Sequence, residues 1–153
     1  MSDASIVIAR RFRGPHDAVS ATGNGGYFCG RVAAAAGAIA VEIRSRAGVP
    51  LDRPLALRTT DGMVEVHDGP ALIARTSAAR LRVTAPVPPP LSFALEASRR
   101  FEAELRDGAV PHTFPECFVC GHHRASGDGM RLFAGPLPGD GSDHGRTRVA
   151  GWR

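Results

Sequence analysis

The residues best suited to chemistry stand in the stretch Thr22-Gly23-Asn24-Gly25-Gly26-Tyr27. It has turn chemistry, and it runs into the helix-favouring Val32-Ala33-Ala34-Ala35-Ala36 and a glycine stop at Gly37. The first N–H groups of a helix have no internal partner and sit at the positive end of its dipole, so they can hold developing negative charge. A carbonyl set against the amides of Gly26 or Tyr27 would meet an oxyanion hole, with Gly25 leaving room for the ligand and Asn24 orienting the carbonyl or an attacking water. The plain alternative is that Gly-Asn-Gly-Gly is a tight turn. Arg31 is the single charge on this helix, and either contacts a phosphate of the bound molecule or reaches solvent by its long stem.

Cys117 and Cys120 form a second constellation, with the spacing of half a structural zinc site. His122 or His123 would add a third ligand, but a closed site needs four and no second Cys pair exists. The pair is therefore a weak metal candidate, and two plain cysteines are the simpler reading. Ser20, Ser92 and the six histidines make no Gly-x-Ser-x-Gly elbow. His16, His67, His112, His122, His123 and His144 fall in loops or strand ends, where a solvated imidazole is the usual state.

The elements that position these groups follow from periodicity. Ser5 to Phe12 reads as a first strand, and Gly26 to Ala36 as a helix that is apolar or small on every side but for Arg31. A helix without a polar face is expected to be surrounded by other structure. Ala38 to Arg46 alternates as a half-buried strand, and Leu55–Arg58, Met63–Val66 and Ala71–Ala74 form a meander through Asp61-Gly62 and Asp68-Gly69. Leu81–Val83 extends its last strand until Pro86 and Pro88–Pro90 end regular structure. Ser92 then caps an amphipathic helix to Leu105, with Phe93, Ala97, Phe101 and Leu105 on one stripe and a stop at Asp107-Gly108. The Gly/Pro-rich remainder offers two short strands, Met130–Ala134 and Arg148–Trp152.

A chain of 153 residues, 43% hydrophobic and 22% charged, suits one ordinary domain, or one domain plus an incomplete second one. All 19 basic residues are Arg and the net charge is +4, yet the arginines form no stripe with aromatics, so nucleic-acid binding is not expected. Three cysteines make no disulfide framework, no apolar stretch is long enough for a membrane span, and a cytoplasmic protein without a cofactor is the expectation.

The order strand, loop, Gly-Gly-started helix and antiparallel meander, over roughly residues 5 to 85, resembles the hotdog fold of acyl-CoA thioesterases. That likeness implies an α+β fold in which a curved antiparallel sheet wraps a central apolar helix. Asn24-Gly25-Gly26 is similar to the His-Gly-Gly motif of many members, with Asn in the His position. The segments from Asn24 to Tyr27, Cys117 to Gly121 and Gly127 to Gly135 also resemble a group of double-hotdog, thioesterase-like proteins. The resemblance implies a hotdog domain over 1–106 and the start of an incomplete second hotdog in 107–153. It also implies a homodimer that binds an acyl-CoA or related thioester and attacks its carbonyl with water. Members place a carboxylate one to two turns into the helix, where this chain has Val32–Ala36. Asp52, Glu65 and Asp68 read as turn and surface charges, so the base is unassigned. The alternatives are a non-catalytic hotdog binding or assembly module and, last, a small zinc-binding domain.

Overall fold

Asp61 and Gly62, at φ 51° and 75°, are the two left-handed residues that a two-residue hairpin needs to match strand twist. They join β3 (Pro54–Thr60) to β4 (Met63–Asp68). The next turn is Gly69-Pro70: Asp68 still belongs to β4, and Gly69 (φ 56°) takes the first central position before β5 (Ala71–Ala78). These turns, the most local signals in the chain, organise the central hairpins of the sheet. The computed structural model describes residues 4–14, 22–37, 40–137 and 148–151. The expectations for His16, Ser20, His144, Ala38, Ile39 and Trp152 lie outside the described residues.

The fold is α+β, and contacts divide it into units Met1–Val83 and Thr84–Arg153. In the first, β1 (Ser5–Val7) and β2 (Val41–Ser45) are the edges of a five-stranded sheet in the order β1-β3-β4-β5-β2, every neighbouring pair antiparallel. Between these edge strands in sequence comes helix α1 (Gly25–Ala36), which packs on one face of the sheet. Phe28 and Val32, one turn apart, are fully buried there against Ile8, Leu55, Val64 and Val66. The register shifts between Val66 and His67, leaving Ile73 without an opposite number. This bulge lets Ile73 and Ala74 both be buried.

One expectation is corrected here. The sheet covers only one stripe of α1; Gly30, Arg31, Ala34 and Ala35 are exposed. The large apolar side chains of the helix form a single i, i+4 stripe. Glycine and alanine on the other side carry so little apolar area that leaving them in water costs little.

The second unit is built on α2 (Leu91–Arg106). Contacts divide the chain at 83/84, and residues 79–90 form no strand. The helix is not capped by Ser92: Pro90 occupies the N-cap, and its carbonyl accepts from the Phe93 and Ala94 amides. Its buried stripe is Ala94, Ala97, Ser98 and Leu105, whereas Phe93 is 46% exposed. The small residues admit backbone. Gly135, in β6 (Gly135–Pro136), lies so close that a Cβ would stand 2.2 Å from the Ala97 carbonyl oxygen. Gly151, beyond β7 (Arg148–Val149), donates to Ser98 Oγ at 3.0 Å. No strand forms at Met130–Ala134; Arg131 there takes φ 51°, which breaks an extended run.

Candidate functional site

Asn24 is buried, and it is held on both sides. Its amide donates to the Phe12 carbonyl at 2.7 Å, and Gly23, which precedes it, donates to Val49 at 2.8 Å. Its backbone is extended (φ −61°, ψ 124°) and its Oδ1 accepts from the Tyr27 amide at 3.0 Å, so Asn24 is the N-cap of α1. The Tyr27 amide, read from the sequence as an oxyanion donor, is thereby engaged, and the Asn24 side chain is turned to its own helix. The Gly25 and Gly26 amides have no protein acceptor among the described residues. A Cβ on Gly25 would meet nothing within 4 Å, and one on Gly26 only Asn24 Oδ1 at 3.4 Å. Packing does not demand glycine at either position.

Tyr27 stacks on Phe12, with ring centroids 3.7 Å apart and planes 10° apart. Its hydroxyl accepts from Arg31 Nη1 at 3.3 Å, so Arg31 lies on the exposed side of the helix, one turn from the glycines. The structure thus brings Asn24, Gly25, Gly26, Tyr27 and Arg31 together within two turns.

Beside this helix start runs a groove of about 570 Å³, lined by Cys29, Gly30, Ala33, Val41, Ile43 and Leu81 among others. A site of this kind suits an apolar chain. Sequence reasoning missed its far wall, because that wall exists only once β2 pairs with β5 as an edge. Glu42 is the one carboxylate at its rim, and its Oε1 accepts from Arg44 at 2.5 Å. The three acids weighed from the sequence are also engaged. Asp52 accepts from the Arg10 amide and Nε, Asp68 pairs with Arg53 at 2.5 Å, and Glu65 with His67 at 3.0 Å. Burial pushes the Cys29 thiol up from its ordinary value, so it is a lining group and a poor nucleophile.

In the second unit Cys117 is buried and Cys120 half-buried, both as free thiols. Burial first, then the neighbouring Cys117, push the Cys120 thiol up to about 11. The rings of His112, His122 and His123 cluster at 5.4 and 4.4 Å between centroids, and burial ahead of its neighbours holds His122 below the ordinary value. No group of three or more metal-ligating side chains that could hold an ion occurs among the described residues. The loop is organised by Arg124. Its side chain is 1% exposed, and it donates to the carbonyls of Asp128 at 2.6 Å and Glu116 at 3.1 Å and pairs with the Asp128 carboxylate at 3.3 Å.

Among the described residues no helix is long and apolar enough to cross a membrane. Comparison of the chain with protein-family models, with curated proteins and with solved structures returned no match.

Proposed function

We propose that the first unit is a hotdog-fold, thioesterase-like domain that binds an acyl-CoA or related thioester at the start of α1. One observation carries the reading: two helix-start amides, Gly25 and Gly26, without protein acceptors, lie about one turn from an apolar groove along the same helix. The thioester carbonyl takes the Gly25 and Gly26 amides, the acyl chain takes the groove, and Arg31 stands where a phosphate of the ligand passes. The strand order supports the hotdog assignment, since α1 links the two edge strands and lies across the face between them.

Hydrolysis needs a base for the attacking water, because polarisation alone leaves the nucleophile unactivated. Glu42 at the groove is engaged with Arg44, and Asp52, Glu65 and Asp68 are engaged with arginine or histidine, so the reading takes the carboxylate from a second copy in a homodimer formed along an open sheet edge. Three free thiols suit a reducing compartment, and the reading puts the protein in the cytoplasm.

The absence of a carboxylate from Val32–Ala36 favours a second reading, a hotdog that binds thioesters without turnover. Calorimetry with a series of acyl-CoA esters, followed by thiol detection, separates them. The thioesterase reading expects saturable binding and thiol release; binding alone supports the module, and no binding of any ester rejects both.

A further inference from the structure

The sheet has a second face, and its sequence is unlike the first. Strand pairing sets Arg58 opposite Glu65, Glu65 opposite Arg75, and Arg75 opposite Arg44, so one row of side chains crosses β3, β4, β5 and β2. Side chains alternate along a strand. The row therefore points away from the face on which Val64, Val66 and Ala74 meet α1. Two arginines directly opposed, with Cα atoms about 4.5–5.5 Å apart, repel each other and weaken the sheet. The acid in the row, Glu65, stands opposite Arg58 and Arg75 and offsets their charge, but it does not reach between Arg75 and Arg44. Glu65 Oε2 goes to His67 Nε2 at 3.0 Å, and Arg58 and Arg75 have no ion pair among the described residues. Arg44 is paired only with the exposed Glu42. The row lies in a depression of about 500 Å³ whose wall also carries the hydroxyls of Thr60 and Ser77.

We propose that this depression is a second ligand site, for a small soluble molecule carrying a diphosphate group. Guanidinium forks match phosphate oxygens two at a time, and hydroxyl donors complete such a cradle. Its phosphoryl groups sit over Arg75 and Arg44 beside the Ser77 hydroxyl, because the Glu65 carboxylate stands between Arg75 and Arg58. An anion there turns the repulsion between the opposed Arg75 and Arg44 into a shared attraction. The row lies on the face of the sheet opposite α1, and the inference does not depend on the thioester reading.

Titration of the full chain with sodium pyrophosphate tests it. The expected result is one saturable site whose affinity falls as salt rises. Arg75→Gln and Arg44→Gln each weaken it about tenfold or more, as loss of a charge-assisted pair does, and Arg99→Gln on α2 leaves it unchanged. Melting keeps the test independent of misfolding. Free Arg75→Gln melts no lower than the free parent, and pyrophosphate raises the melting temperature of the parent more than that of the variant. No saturable binding at millimolar pyrophosphate, or equal affinity in the arginine variants, overturns the proposal. So does tighter, arginine-dependent binding of a single-stranded oligonucleotide, which would make the row a nucleic-acid surface.

Discussion

Glycines mean opposite things in the Cys117–Gly121 loop and on the exposed side of α1. At Gly121 an added Cβ would stand 2.5 Å from the Pro115 carbonyl oxygen and 2.6 Å from that of Cys117, and at Gly135 it would strike the backbone of α2. These glycines are required by the protein itself. At Gly25 and Gly30 an added Cβ would meet nothing within 4 Å. The sequence singles out Cys117–Gly121 and Asn24–Tyr27 alike. Yet in the former the small residue serves a tight loop around the buried Arg124, and in the latter it leaves the first turn of a helix approachable. What surrounds a glycine, and not its place in a motif, separates a structural role from a binding one.

That contrast can be broken by substitution. The largest effect is expected at Gly121→Ala, because the new methyl group meets backbone and not a mobile side chain. The loss is on the order of 3 kcal/mol, read as a lower denaturant midpoint, and a neutral outcome would mean that the loop is not tightly packed. Next comes the thiol beside it. With its thiol pushed up to about 11, Cys120 is protonated throughout the neutral range. Only the thiolate reacts, so alkylation of Cys120 at pH 8 runs on the order of 100-fold slower than that of an ordinary thiol of pKa near 9 and accelerates until pH passes about 11. Rapid labelling at pH 8 would remove this loop from the structural class. A smaller effect belongs to Asn24→Ala, which frees the Tyr27 amide at a cost of about 1 kcal/mol. Unchanged thermal stability in that variant would show that the Asn24 side chain is not spent on the helix.

The hairpin at Asp61-Gly62 and the stop at Gly37 were legible in the sequence because each is decided within a few residues. The exposure of α1 was not. Its alanines read as apolar, and only packing shows that Phe28 and Val32 alone need cover. The arginine row was equally hidden, since Arg58, Glu65, Arg75 and Arg44 become neighbours only through strand register. In the second unit, the Gly/Pro-rich tail offered only two short strands to the sequence reading. Its order comes from a charged residue, the buried Arg124, tied to backbone carbonyls, and from the small face of α2, and neither is a hydrophobic pattern.

The central claim is that the leading amides of α1 serve a ligand, and Gly25→Pro tests it most directly. Asn24 already has the extended backbone that a following proline requires, and proline suits the first helical position. The substitution thus removes one N–H donor while stabilising the fold by about 0.4–1 kcal/mol. Calorimetry with the acyl-CoA ester that the parent binds most tightly should show affinity lost in Gly25→Pro while its melting temperature rises. Undiminished affinity in a variant that melts higher would contradict the claim.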